Sequence, residues 1–396
     1  MPRHVRFASL GICTAALAAS TLLASCVKQS APCSEPAATP VPAAPPAATA
    51  TAAIAAPAPT PEPAKPTTLR AAAAPTGRKI GVALATWFFE QPGYQEIAAA
   101  QFDSLTPENE MKWYEVEPQQ GVFNFKGGDK LVDFAEKHGM RMRGHTLVWH
   151  NQLAPWVKTL KGDALRKAML NHATKTVEHW KGRIQHWDVV NEAVDETGKL
   201  RANSVFTQLG PTYIEQAFRA AHAADPKALL FYNDYDIEDA DWPKSEGAYQ
   251  LVKRLKESGV PIHGMGFQMH VDPRKWPPPE KLKKALERFA ALDLLIELTE
   301  IDVPVGEIPG DDKQKLEKQA EWMRGITRIC LEVPKCSGLT LWGLSDKQSW
   351  LSTKEWEHHR GKGPHRALPF DENHRPKPMF HAFLEVLNQG VAQPKP

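Results

Sequence analysis

The sequence predicts a (β/α)8 barrel, and three observations carry that prediction. From about residue 78 onward, short apolar runs alternate with longer segments of helical period, the mark of parallel strands wrapped by helices. Eight such runs can be counted, enough to close a barrel, and residues 78–390 have the length of one such domain. Polar and aromatic residues recur at the ends of these runs, where this fold builds its sites.

Taken in order, the first run is 80–85. The second, 102–105, leads to Glu108-Asn109 and Lys112-Trp113, and a helical segment follows at 128–138. The third, 140–149, carries His145 and Trp149-His150 and gives way to a helix over 163–180. Run four, 184–190, ends in Asn191-Glu192 before the helical stretch 213–224. Run five, 228–232, ends in Asn233-Asp234-Tyr235, with 245–258 as its helix. The sixth, 264–269, brings Gln268 and His270 ahead of 280–291, and the seventh, 294–298, brings Glu300 and Asp302 ahead of 313–330. The eighth, 339–344, contains Trp342 and is followed by Trp350, and a helix over 377–387 seals it. Singly, each polar residue reads as a cap, a core histidine or a rim tryptophan. Their recurrence on one barrel face reads as a site.

The chain before the barrel is of another kind. Arg3, His4 and Arg6 precede an apolar stretch over 7–24 that ends in Leu23-Ala24-Ser25-Cys26. That is too short and too rich in Ala and Ser for a membrane span, and it resembles the export signal of bacterial lipoproteins, with residues 1–25 removed and Cys26 acylated. Residues 26–77 are almost wholly Ala, Pro and Thr and are expected to form a disordered tether. The expected location is therefore outside the cytoplasm, either lipid-anchored to the envelope at the outer membrane or secreted, with Cys26 the only membrane contact. A net charge of +2 with dispersed basic residues argues against a nucleic-acid partner. Of the five cysteines, Cys13 leaves with the signal and Cys33 lies in the tether. Cys330 and Cys336 sit close together in the barrel, and an oxidising compartment favours a disulfide between them. The chain is expected to act as a monomer.

Cleaving a glycosidic bond takes one carboxylic acid to protonate the leaving oxygen and one carboxylate to attack the anomeric carbon or activate water. Glu192 and Glu300, ending runs four and seven, are the candidates. Facing one another across a narrow barrel mouth, they would repel, and the repulsion would raise the pKa of one and keep it protonated.

The residues around these glutamates resemble glycoside hydrolase family 10. Trp187-Asp188-Val189-Val190-Asn191-Glu192-Ala193 resembles that family's acid/base strand, and Leu298-Thr299-Glu300-Ile301-Asp302 its nucleophile strand. Leu105-Thr106-Pro107-Glu108-Asn109, Arg143-Gly144-His145, Tyr232-Asn233-Asp234-Tyr235, Gln268-Met269-His270 and Leu341-Trp342-Gly343 follow in the family's order. The resemblance implies a retaining endo-1,4-β-xylanase acting on xylan or xylo-oligosaccharides without cofactor or metal. It makes Glu192 the acid/base, Glu300 the nucleophile and Asn191 a contact to the hydroxyl beside the anomeric carbon. His270 and Asp302 would orient the nucleophile, while Glu108, Asn109, Lys112, His145, Trp149, Gln268, Trp342 and Trp350 would line the glycone subsites. A retaining mechanism requires the two carboxyls to stand roughly 5 to 5.5 Å apart. The residues alone imply only a β-linked polysaccharide, so a cellulase- or mannanase-type enzyme and a non-catalytic polysaccharide-binding lipoprotein are the alternatives. Met269 and Asp236 depart from the family pattern and are expected to affect subsite affinity. The loop with Trp356, Glu357, His358, His359, Arg360 and His365 reads as a solvated or sugar-contacting rim rather than a metal site.

Overall fold

Eight parallel strands pair in sequence order and close on themselves, β1 with β8. They are β1 (Lys79–Leu84), β2 (Ser104–Pro107), β3 (Arg141–Trp149), β4 (His186–Asn191), β5 (Leu229–Asp234), β6 (Gly264–Phe267), β7 (Leu295–Ile301) and β8 (Cys336–Leu341). Around them run α1 (Leu69–Ala73), α2 (Tyr94–Gln101), α3 (Trp113–Val116), α4 (Lys126–Lys137), α5 (Gly162–His179), α6 (Thr212–Ala224), α7 (Pro243–Glu257), α8 (Pro279–Ala290), α9 (Asp312–Glu332) and α10 (Pro378–Gln389). This computed structural model describes residues 65–354 and 361–390. The signal segment, Cys26, the tether up to residue 64 and loop residues Trp356, Glu357, His358, His359 and Arg360 lie outside the described residues.

All eight apolar runs coincide with strands, but their ends shift for physical reasons. Run two was expected to stop at Leu105, whereas β2 continues to Pro107, a position a proline tolerates at a strand's end. Run seven was expected to stop at Leu298, yet β7 extends through Thr299 and Glu300 to Ile301, so Glu300 projects from the strand itself. Run eight begins earlier than its apolar residues suggest, at Cys336.

The tether was expected to reach residue 77. Instead Leu69–Ala73 forms α1, whose Leu69, Ala72 and Ala73 are buried in the core. A five-residue alanine-rich turn has no periodicity to announce it, and it is the core that holds it in place. The helix α2 escaped notice for a related reason: its buried face consists of Tyr94 and Ala98 alone. At the far end of α9, Cys330 and Cys336 form a disulfide that ties this helix to the start of β8.

The barrel interior carries charge as well as apolar bulk. Arg143 on β3 pairs with Asp188 on β4 and, at 2.8 Å, with Glu297 on β7. Arg141 approaches the other oxygen of Glu297 at 2.7 Å, and His186 stands 3.1 Å from it. Burial opposes ionisation of Glu297, but Arg141, His186 and Arg143 outweigh it and hold the carboxyl well below its ordinary value.

The barrel register shifts between His145 and Val148 on β3, between Asp188 and Val190 on β4 and between Leu298 and Ile301 on β7. These irregularities lie toward the C-terminal ends of the strands, where a bulge re-aims side chains without breaking the barrel.

Candidate active site

A cleft of about 460 Å³ opens at the C-terminal ends of the strands. Glu108, Asn109, Lys112, His145, Trp149, Asn191, Glu192, Gln268, His270, Glu300, Trp342 and Trp350, the residues singled out from the sequence, all line it. They come from β2, β3, β4, β6, β7 and β8 and the loops that follow, positions up to 242 residues apart in the chain (from 108 to 350).

Glu300 is held on both oxygens. Asn233 on β5 donates to Oε1 at 2.7 Å, and His270 Nε2 lies 3.2 Å from Oε2. The other ring nitrogen of His270 is 2.8 Å from Asp302 Oδ2, and the Trp350 indole donates to the same oxygen at 2.7 Å. Asp302 therefore stands behind the site and acts on it through His270. Burial works against charge on His270, yet the Asp302 carboxylate and the hydrogen bonds to Asp302 and Glu300 lift its pKa to about 10. At neutral pH the ring is an imidazolium that donates to both carboxylates. Asn233 needs a bare backbone beside it: a Cβ on Gly266 would come within 2.2 Å of its Oδ1.

Glu192 accepts from three donors. Trp149 Nε1 reaches Oε2 at 2.8 Å, while Gln268 Nε2 and Asn191 Nδ2 reach Oε1 at 2.9 and 3.3 Å. Asn233 Nδ2 also donates to Asn191 Oδ1 at 2.9 Å. One amide pair thus links the two glutamates.

The expectation that repulsion raises the pKa of one glutamate is not met at Glu192. Burial pushes its carboxyl up, but His150, the Gln268 amide, the Lys244 ammonium and the Trp149 indole together pull it below the ordinary value. Another carboxyl of the cleft is raised: burial lifts Glu108 to about 7 against the pull of Lys112.

The backbone at Glu192 is left-handed, with φ of 55°. Arg201, itself buried, donates from Nε to the Glu192 carbonyl at 3.0 Å and from Nη2 to the Val194 carbonyl at 2.9 Å. The Tyr232 hydroxyl accepts from the Ala193 amide at 3.0 Å. The turn is thus held from outside the Asn-Glu motif, by donors on Arg201 and by an acceptor on the neighbouring strand β5.

The Glycosyl hydrolase family 10 model matches residues 68–386. This chain belongs to that family. As a family-10 protein it is a glycoside hydrolase. "Endo-1,4-beta-xylanase B" of Thermotoga neapolitana is 42% identical over 332 residues, spanning 82% of this chain and 93% of its own. "Beta-1,4-xylanase" of Dictyoglomus thermophilum is 40% identical over 299 residues, 72% of this chain and 82% of its own. Among solved structures, xylanase 10B from Thermotoga petrophila RKU-1 in complex with xylobiose superposes with a TM-score of 0.77 at 41% identity, covering 83% of this chain and 99% of that one.

Some cleft residues of this family-10 domain were absent from the sequence-derived set: Trp87 and Phe88 after β1, Asn151 and Gln152 after β3, and Gln348 after β8 among them. An aromatic pair directly after the first apolar run was a readable signal for the first two. The glutamines carried none, since their side chains are ordinary on a loop. Met269, a departure expected to matter for subsites, is fully buried, and its amide donates to Glu238 at 3.0 Å. His365 was assigned to a rim; it is buried, and its carbonyl accepts from the Val305 amide at 2.7 Å. Among the described residues no cluster of His, Cys, Asp and Glu is placed to hold a metal.

Proposed function

We propose that this family-10 glycoside hydrolase is an endo-1,4-β-xylanase that cleaves internal β-1,4-xylosidic bonds with retention. The observation that carries the reading is the division of labour between the two glutamates in one cleft: Glu300 is fixed on both oxygens by Asn233 and His270, and Glu192 is cradled by Trp149, Gln268 and Asn191. The relatives named as xylanases and the xylobiose complex of a structural neighbour support xylan as the substrate.

In this mechanism the Glu300 carboxylate attacks the anomeric carbon as its bond to the leaving sugar breaks, and the Glu192 proton passes to the leaving oxygen. Water then gives a proton back to Glu192 and attacks the same carbon, releasing Glu300. The imidazolium of His270 steers Glu300 through its contact with Oε2 at 3.2 Å. Glu192 must carry a proton when substrate is bound. A glycosidic oxygen that accepts from the protonated carboxyl, in a cleft emptied of water, favours that form over the carboxylate preferred in the open site. Indole faces and hydroxyl-directed polar groups along the cleft suit a pyranose, and Trp350 offers a close ceiling above a sugar that lacks a hydroxymethyl group.

Two variants test the assignment. Glu300→Ala should abolish turnover of xylan. Glu192→Ala should lower kcat/KM on xylan by about a hundredfold to ten-thousandfold while changing it little on an aryl xylobioside with an activated leaving group. Equal losses on both substrates would remove Glu192 from the acid role, and faster release of reducing sugar from carboxymethylcellulose than from xylan would replace the substrate.

We further propose that the protein is exported and held at the cell envelope through an acylated Cys26. The signal-like start of the chain supports this, as does the Cys330–Cys336 disulfide, which suits an oxidising compartment.

A further inference from the structure

Trp87 is the anomaly on this surface. Its side chain is 54% exposed, beside Val122 the only large apolar residue so open among the described residues, and it lies on the wall of the active-site cleft. Exposed apolar area inside a functional cleft marks a surface that something else covers.

Its position follows from the barrel. Trp87 comes after β1, which lies between β8 and β2, so its neighbours around the rim are the loops carrying Trp350 and Glu108 to Lys112. In a closed order of eight strands, β1 stands opposite β5, whose loop brings Tyr235 into the same cleft. Trp87 and Tyr235 therefore mark opposite ends of the cleft, with the two glutamates on strands between them. On the family reading, the loops flanking Trp87 form the glycone side.

The indole is also held in place. Phe88 meets it edge-on at 5.9 Å, and Phe88 in turn meets Tyr94 at 5.8 Å, so the pair is continuous with the core. On one side the Thr86 amide donates to Glu110, in the loop after β2. On the other, Gln348 from the loop after β8 donates to Gln91 at 2.8 Å. An exposed ring on a loop pinned at both flanks loses little freedom when a ligand settles on it, which is the condition for a stacking platform to contribute affinity.

We infer that Trp87 is a distal glycone subsite, an aromatic platform on which a xylose unit beyond those gripped by Glu108, Asn109 and Lys112 stacks, and that it sets the preference of the enzyme for long chains. A pyranose presents a face of C–H groups to such a ring, and xylose, without a hydroxymethyl arm, lies flat against it. The inference rests on the proposed xylanase activity and adds a length dependence to it.

Hydrolysis of xylohexaose and of an aryl xylobioside by the wild-type enzyme, Trp87→Ala and Trp87→Tyr tests it. In Trp87→Ala, KM for xylohexaose should rise roughly tenfold with kcat nearly constant, and kcat/KM on the aryl xylobioside should fall less than about twofold. Trp87→Tyr, which keeps a flat ring, should recover most of the xylohexaose affinity. An unaltered KM for xylohexaose in Trp87→Ala would overturn the inference, as would a parallel loss on both substrates or a failure of tyrosine to restore affinity. If the wild-type enzyme leaves xylohexaose intact, it is the xylanase assignment that falls.

Discussion

The left-handed backbone at Glu192 costs on the order of 1 to 2 kcal/mol for a residue with a Cβ, and Arg201 stands where that cost is offset, on the Glu192 carbonyl. The arginine is a positioning residue: it touches the backbone that aims the carboxyl and not the carboxyl itself. Replacing it with methionine should let the turn relax, and a displacement of about 1 Å at an acid can cost a hundredfold. We expect Arg201→Met to lower kcat/KM on xylan by about tenfold to a hundredfold and to spare an aryl xylobioside whose leaving group needs no proton, with Arg201→Lys intermediate. A uniform loss on both would make the arginine merely structural. The Asn191-Glu192 motif located this residue from the sequence, but its electrostatics were not legible there. Repulsion between two carboxylates can be guessed from their identity; the groups that dominate, His150, Gln268, Lys244 and Trp149, come from β3 and the loop after it, the end of β6 and α7 and meet only when the barrel closes.

The strands were the legible elements, because a segment buried on both faces must be apolar along its length. Where their ends were misjudged, the cause was polar content at a barrel position: Thr299 and Glu300 interrupt the apolar run of β7 without ending the strand. The same strand carries Glu297, whose pairs with Arg141 and Arg143 on β3 link the two across the barrel. Glu297→Gln would leave the buried Arg143 guanidinium with Asp188 alone and the partly buried Arg141 without its carboxylate, and should lower unfolding free energy by about 3 to 5 kcal/mol at neutral pH. The pH dependence follows from the depressed carboxyl. Its contribution is complete above the ordinary value of 4.5 and drains away as pH falls below that toward its folded value, because the unfolded chain binds the proton first. Urea midpoints of wild type and variant should therefore converge below about pH 4.5, and a gap that persists unchanged at pH 3 would count against the assignment.

At the scale of the whole chain, the proposed acylation site and tether differ from the catalytic domain in composition, being apolar with a basic start and then almost wholly Ala, Pro and Thr. Growth with an alkyne-bearing palmitate analogue should label the protein, and Cys26→Ala should abolish the label; label retained in that variant would exclude the anchor. The edge of the domain was misplaced because α1 is ordered by the core it caps and not by its own five residues. Residue types in a recurring order were thus enough to predict the eight-stranded barrel and its family and to single out two glutamates that meet in one cleft, because covalent neighbours and strand periodicity are written along the chain. The charge state around Glu192, the clamp by Arg201, the burial of Met269 and the exposure of Trp87 were decided only by the closed barrel. Apart from Arg201, which lies nine residues from Glu192, each depends on groups tens to hundreds of residues apart, and no local pattern encodes which of them will share one low-dielectric space.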